Sequence, residues 1–267
     1  MEPNLLSTAS NAIQVIGIEV DKTQILIGPI KKRLTGQGVV MFESRVITLP
    51  QLTIEVNSEN GKVNWISRRI DRPQGERTGT RMTAEQARSL SQKTIAQLGQ
   101  DLGSNLHPRP PQNLENERLW VATWVRHIGD IPIEEESVTI WLDDVSGELR
   151  RFNNTITDRT CDTKAVITED QALRTARETA AGLLQHVYGR QDLVVSKIDQ
   201  PILRIVYTQP VPENKTETAP RPQLRLIYDV RAQTENGTEG ESIPRMPFGV
   251  WVDALTGKIV GSGSRMP

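Results

Sequence analysis

The sequence has few cysteines, histidines and aromatic residues and almost no net charge, and each shortage excludes a class of protein. A single cysteine, Cys161, excludes an internal disulfide and a multi-cysteine metal site. The 32 Lys and Arg residues against 33 Asp and Glu residues argue against a nucleic-acid-binding protein, because such proteins normally carry a basic surplus. No apolar run approaches the roughly 18 residues of a membrane helix. The first residues lack a basic segment followed by an apolar one, so no signal peptide is expected.

Three copies of one hairpin pattern recur along the chain. Its 267 residues, 36% of them hydrophobic and 24% charged, are enough for one large globular domain or two small ones. Each copy has an alternating strand, then Asp or Asn, then glycine four residues later and a second strand. The copies are Leu52–Ile66, Val138–Phe152 and Phe248–Val260. Asp or Asn favours a type I turn and the glycine favours a left-handed conformation, so three antiparallel hairpins are predicted.

Helices and long strands precede the second and third hairpins. The predicted helices are Met82–Leu98 and Ile167–Leu184, with N-caps at Thr83 and Thr168, and the strands that follow them are Leu119–Arg126 and Leu224–Arg231. The first copy shows no clear helix. Its apolar stretches are interpreted as additional strands, at Ile13–Val20, Ile25–Ile30 and Val39–Leu49.

This order of elements resembles the PepSY domain family, which is named for peptidase propeptides and a bacterial spore-cortex envelope protein. The resemblance rests on a helix opening with Thr-x-x-x-Ala, a strand ending in Val-Arg, and the pattern W-x-D-x-x-[ST]-G-[KE]. It covers residues 82–157 and 167–261, with a partial copy at 50–70. It implies an α+β fold of tandem units, each an α-helix packed on an antiparallel β-sheet. The predicted segments are a β-rich partial repeat at 1–80, one unit at 81–160 and a unit with longer loops at 161–267.

The resemblance implies a non-catalytic protein-interaction module that binds or inhibits a peptidase or chaperones a polypeptide. The family has no conserved catalytic set, so no catalytic residue, cofactor or metal is predicted, and the partner is a protein or peptide. The alternative is an extracytoplasmic sensor that binds a small ligand between the units, and an enzyme is the third choice. The compartment is left open, because the family is usually extracytoplasmic and no signal peptide is expected here.

The residues that could carry chemistry have simpler explanations in the sequence. Cys161 lies in a polar stretch without an elbow or oxyanion-loop motif, so it is not predicted to be a nucleophile. No two histidines are four residues apart on a helix, and no zinc signature results. The acidic segment that follows His127 could line a cation site but is interpreted as a solvated loop. Asp143 and Asp253 occupy equivalent turn positions, which explains them without acid–base catalysis.

The tryptophans are the candidate binding residues. Trp141 and Trp251 are equivalent in their hairpins, and Trp120 and Trp124 share one face of their strand. The first copy has Glu55 where the others have tryptophan, and an unpaired carboxylate is costly to bury, so we expect this face to be partly accessible. The candidate protein-binding face is therefore Trp120, Trp124, Trp141 and Trp251. The alternative is that the indoles are buried between packed repeats.

Overall fold

The computed structural model describes residues 5–19, 24–36, 38–69, 79–188, 193–209, 221–236 and 247–264. These residues form three helices and two antiparallel sheets, which confirms the predicted α+β fold class. The chain divides into two compact units. Unit 1 comprises Met1–His127 and Ile133–Asp158, and unit 2 comprises Ile128–Pro132 and Arg159–Pro267.

Unit 1 contains a nine-stranded sheet, and unit 2 contains a five-stranded sheet. The helices are α1 (Leu5–Ile16), α2 (Ala84–Gln97) and α3 (Glu169–Tyr188). The first sheet contains β1 (Leu26–Leu34), β2 (Val40–Leu49), β3 (Leu52–Asn57), β4 (Val63–Arg68), β5 (Leu106–Pro108), β6 (Gln112–Leu114), β7 (Leu119–Ile128), β8 (Ile131–Asp143) and β9 (Leu149–Asn154). Its order is β1-β2-β3-β4-β9-β8-β7-β5, with β6 also paired to β7.

The sheet of unit 2 has the order β10-β12-β13-β14, with β11 also paired to β12. Its strands are β10 (Leu193–Ile198), β11 (Ile202–Thr208), β12 (Gln223–Asn236), β13 (Pro247–Asp253) and β14 (Ile259–Ser264). In both sheets, two short strands that the sequence did not predict pair with the long strand after the helix.

The three predicted hairpins are confirmed as β3–β4, β8–β9 and β13–β14. Each turn closes with a glycine at positive φ: 69° at Gly61, 71° at Gly147 and 72° at Gly257. A non-glycine side chain is strained at these angles, which is why glycine recurs there. A β-bulge follows each turn, at the same distance from the glycine.

The second and third helices also match the prediction. The Thr83 side chain accepts a hydrogen bond from the Gln86 N–H, while the Gln86 side chain accepts one from the Thr83 N–H, so the two residues form a capping box. Thr168 and Gln171 form the same pair of bonds before α3. The α3 helix continues to Tyr188, four residues beyond its predicted end.

The N-terminal prediction is wrong for the first apolar stretch, Ile13–Val20. Its first four residues lie in α1, which packs on β3 and β4. The buried residues of α1 are Ala9, Ala12, Ile13 and Ile16, a spacing that fits one helix face. Thr8 also donates a hydrogen bond to the carbonyl of Gly61, so α1 contacts the first hairpin turn. The other two stretches are confirmed as β1 and β2.

The predicted segments 1–80 and 81–160 contribute to the same sheet, because β4 pairs with β9. One apolar cluster also extends through both segments, from Ala9 of α1 to Phe152 of β9. The predicted boundary between residues 160 and 161 lies close to the boundary between Asp158 and Arg159. The division into three segments, and their interpretation as tandem units, stay predictions.

Candidate functional site

The four candidate tryptophans do not lie on one common face. Trp124 is only 3% exposed and belongs to the core cluster with Ala122 and Ile140. Trp120, two strand periods earlier on the same face, is half-buried and donates from Nε1 to the Met82 carbonyl at 3.0 Å, just before α2. These two indoles therefore lie on the core side of the sheet. They share one strand face, as their spacing predicts, but this face packs on the core and is not an open binding surface.

Trp141 lies on the opposite side of the nine-stranded sheet. Its neighbours Ile140 and Leu142 are fully buried in the core, and successive side chains of a strand point to opposite faces. Trp141 is half-buried and pairs across the strands with Arg151. Two pairs further along, and so on the same face, Thr139 faces Asn153, and Asn153 in turn faces Trp65 of β4.

We call Trp65, Trp141, Arg151 and Asn153 the polar-aromatic face. All four residues are half-buried or exposed, and residues opposite each other in adjacent strands lie on one side of a sheet. Trp65 was missed in the sequence because the bulge of the first hairpin places Asn64 and Trp65 together opposite Glu55. The alternation of β4 was the available signal, but a bulge makes simple counting unreliable.

Trp251 occupies the position equivalent to Trp141 but is buried. It is 7% exposed and packs with Val206 and Ile227, with Val260 beside them. The facing residue is Gly261, where a Cβ atom would lie 2.9 Å from the Trp251 ring. The glycine therefore lets the indole lie close against β14. Trp251 is therefore a core residue within unit 2.

The outermost strand of unit 1, β1, exposes a series of large aliphatic side chains. Leu26 is 66% exposed, Ile27 55%, Ile30 47% and Leu34 50%. We call these four residues the β1 edge. Within the described residues, β1 pairs only with β2, so its outer backbone groups have no strand partner there. An exposed hydrophobic edge strand is an unusual feature in a globular protein, because it is a template for pairing with another chain.

Two cations connect the β1 edge to the polar-aromatic face. Lys31 Nζ lies 3.0 Å from Glu55 Oε1. Arg33 donates to Asn153 Oδ1 at 2.8 Å, and its guanidinium lies 5.8 Å from the centre of a Trp65 ring. That separation is within the range of cation–π attraction. The basic run at residues 31–33 therefore holds β1 beside the aromatic residues and adds positive charge to the site.

The hairpin carboxylates are structural, as the turn chemistry predicts. Burial alone would raise the pKa of Asp143, but hydrogen bonds from Arg150, the Ser146 hydroxyl and the backbone N–H groups of the turn hold that pKa well below its ordinary value of 3.8. Burial likewise opposes a lowered pKa at Asp253, where backbone N–H groups and the Arg225 guanidinium prevail. Both carboxylates are thus kept ionised by turn and ion-pair contacts, an arrangement that does not suit proton transfer near neutral pH.

The acidic segment after His127 has protein partners in the structure. Glu136 is fully buried, 2.7 Å from Arg126, and accepts hydrogen bonds from the backbone and side chain of Thr157. Glu134 lies 2.7 Å from Arg109.

Among the described residues, no group of three His, Cys, Asp or Glu side chains could hold a metal ion. Cys161 is half-buried. No helix in the described part of the chain is long and apolar enough to cross a membrane.

Two shallow cavities lie beside the helices of unit 1. One, of about 300 Å³, lies between α1, the first hairpin turn and the end of α2, and the other, of about 550 Å³, lies along α2. Neither is lined by Asp143, the carboxylate of unit 1 whose pKa is shifted. A catalytic or sensing pocket would combine depth with perturbed groups, so the open β1 edge is the stronger candidate site.

No protein-family model and no curated protein matches the chain. Among solved structures, the Bacillus megaterium YpeB C-terminal domain is similar, with a TM-score of 0.41 and 15% identity over 100% of this chain and 99% of that chain. An uncharacterised protein from Eubacterium rectale has a TM-score of 0.39 and 12% identity, covering 95% of this chain and 80% of that chain. At these values the similarity supports no conclusion about function.

Proposed function

We propose that the chain is a non-catalytic protein-interaction module of tandem PepSY-like units that binds an extended polypeptide along the β1 edge. The exposure of four large aliphatic side chains on one outermost strand carries the proposal. A bound segment would pair with the backbone of β1 on either side of Pro29, which has no N–H group to donate, and extend the nine-stranded sheet. Lys31 and Lys32 disfavour pairing of β1 with an arbitrary strand, so a suitable partner segment must complement their charge. Strand addition of this kind obtains affinity from main-chain hydrogen bonds and specificity from side-chain contacts.

The polar-aromatic face extends the site beyond the strand edge. Trp65 and Trp141 are accessible on the side where Arg33 and Lys31 anchor β1. Tryptophan is enriched among the residues that dominate binding energy at protein interfaces. The buried Trp124 and Trp251 are excluded from this role, and Trp120 lies on the core side. The PepSY resemblance makes a bacterial peptidase the first class of partner to test, and Lys32 on the exposed strand favours an acidic segment in that partner.

The proposal is tested with the double variant Ile27→Ser, Ile30→Ser in the full chain. Both side chains are about half exposed, so thermal stability should change little, whereas binding should lose two apolar contacts. Burying one such side chain contributes about 1.5–3 kcal/mol, and about 1.4 kcal/mol is a tenfold change, so we expect affinity to fall at least about tenfold. The probe is fluorescently labelled, reduced and carboxymethylated α-lactalbumin, a permanently unfolded polypeptide, measured by anisotropy.

The matched control is Val166→Ser, which removes a 72% exposed aliphatic side chain outside β1. It should leave both affinity and melting temperature unchanged. Equal affinity of the wild-type protein and the Ile27→Ser, Ile30→Ser variant would overturn the β1 edge as the binding site. Equal loss of affinity in the control would show that binding depends on general surface hydrophobicity and would overturn the proposal as well.

A further inference from the structure

The three hairpins share one register, which makes their residues comparable position by position. In each hairpin one cross-strand pair lies directly beside the bulge: Glu55 with Trp65, Trp141 with Arg151, and Trp251 with Gly261. The second strands β4, β9 and β14 are therefore equivalent, and Ile66 of β4 corresponds to Phe152 of β9 and to Ser262 of β14.

The pairing of β4 with β9 is symmetric in these equivalent positions. Ile66 pairs with Phe152, the residue equivalent to itself. On either side, Trp65 pairs with Asn153, and Ser67 pairs with Arg151. Since Trp65 is equivalent to Arg151 and Ser67 to Asn153, the two antiparallel strands are related by a local two-fold axis through the central pair. The second strand of one hairpin thus pairs with the equivalent second strand of the other hairpin.

The equivalent edge of the third hairpin has no such partner among the described residues, where β14 pairs only with β13. The strand Ile259–Ser264 contains neither a charged residue nor proline. Lysine, proline and inward-pointing charges are the usual means by which an edge strand resists pairing with another chain. An uncharged edge with two glycines has none of these protections and admits close approach of a second backbone.

We propose that β14 pairs antiparallel with β14 of a second copy of this chain, centred on Ser262, in the arrangement that β4 and β9 adopt. The Asp253 N–H bonds to the Lys258 carbonyl, and the bulge turns the backbone of Gly261 towards Trp251. Ladder bonds alternate between the two sides of an antiparallel strand, so the N–H and C=O groups of Ser262 point away from β13. When the Ser262 residues of two copies face each other across a two-fold axis, the N–H of each donates to the C=O of the other, so all four backbone groups are hydrogen-bonded.

The dimer joins two five-stranded sheets into one continuous sheet of ten strands. It is a closed, self-complementary assembly, because the same strand is contributed by both copies. A second copy is favoured over a foreign strand because the chain already contains the equivalent pairing within itself. This interface is formed by β14 and does not include the β1 edge. A result for or against the dimer therefore does not affect the proposed polypeptide binding.

Sedimentation velocity of the full chain and of Ser262→Pro tests the pairing. The wild type should sediment as a dimer at micromolar concentration. Proline removes the central N–H donor, so Ser262→Pro should dissociate at least tenfold more readily, while Ser262→Ala, which keeps the N–H, should remain as dimeric as the wild type. A wild-type protein that is monomeric throughout would overturn the proposal, and so would a folded Ser262→Pro variant that dimerises normally.

A cysteine cross-link decides the matter if the proline variant does not fold. Ser262→Cys in a Cys161→Ser background should form an intermolecular disulfide under mild oxidation, because facing residues of such a pair have Cα atoms about 5.5 Å apart, within disulfide range. The control is Leu255→Cys in the same background, an exposed position in the turn of the same hairpin. Cross-linking that is no faster at position 262 than at position 255 would overturn the β14 pairing.

Discussion

The first position of each hairpin turn holds a side chain with an oxygen acceptor, but the three residues differ in charge. Asn57 accepts hydrogen bonds from the Glu59 and Asn60 N–H groups at 2.7 and 3.3 Å. Asp143 and Asp253 make the same kind of turn contacts and each also pairs with an arginine. Turn formation therefore requires the acceptor, while the negative charge adds an ion pair that the first hairpin lacks at this residue.

Asp143→Asn separates the two contributions. The amide keeps the acceptor found naturally at Asn57 but loses the charge that Arg150 binds. Because the folded-state pKa of Asp143 is lowered, its stabilisation is present above about pH 4 and is lost as the pH falls through the ordinary value towards the folded-state value. We expect the variant to be about 1.5–3 kcal/mol less stable than the wild type at pH 7, the range for a hydrogen bond to a charged group.

Urea denaturation at pH 7 and pH 2.5 measures this difference. The difference in unfolding free energy between wild type and Asp143→Asn should shrink at the lower pH, because pH 2.5 lies below the ordinary aspartate pKa of 3.8 and the unfolded wild-type chain then binds a proton at Asp143 that the folded state does not. Asp101→Asn, at an exposed aspartate, is the control and should change stability little at either pH. A difference for Asp143→Asn that is the same at both pH values would contradict the ion-pair explanation.

At the scale of elements, the hairpins were predictable because their signals are local. An alternating strand, a turn acceptor and a glycine four residues later fix the chain reversal without distant contacts. The α1 helix was not predictable in the same way. Its end is rich in β-branched residues such as Ile13, Val15 and Ile16, which favour strands, although Ala9, Ala12 and Ile16 are spaced for a helix face. Packing on β3 and β4 decides between the two patterns.

The candidate site, too, could be predicted only in part from the sequence. Alternation alone places Trp141 on the opposite face from Ile140, and this part could be predicted. Whether that face is covered depends on non-local contacts: Gly261 lets Trp251 pack closely, whereas Trp141 faces the long Arg151 side chain and stays half-buried. The exposure of β1 was not predicted, although Pro29 and the three basic residues after Ile30 are typical of an edge strand.

Equivalent tryptophans in the two hairpins should therefore respond differently to truncation. Trp251→Ala removes a buried indole and should cost about 3–5 kcal/mol, the usual range for a large aromatic in a core. Trp141→Ala should cost clearly less and should instead weaken binding of an unfolded polypeptide. Thermal melts of both variants, read beside their anisotropy titrations, make the comparison. Equal destabilisation with unchanged affinity for Trp141→Ala would remove Trp141 from the binding face.

At the scale of the whole molecule, the joining of the first two hairpins through β4 and β9 determines how unit 1 is stabilised. Ile66 and Phe152 are fully buried, and they pair at the junction within one core cluster. A core shared in this way cannot be divided at residue 80 without exposing apolar surface on both sides. The first 80 residues and the following segment should therefore depend on each other for stability.

Phe152→Ala in the full chain tests this dependence. The loss of a buried aromatic side chain should cost about 3–5 kcal/mol. If the core is shared, hydrogen exchange should accelerate not only in β8 and β9 but also in α1 and β3, which precede residue 80 in the sequence. Ile27→Ala, at an exposed position of β1, is the control and should leave exchange unchanged in all four elements. Accelerated exchange confined to residues 81–158 would show that the segments fold separately, because a cooperative core transmits the loss of one central contact to every element packed on it.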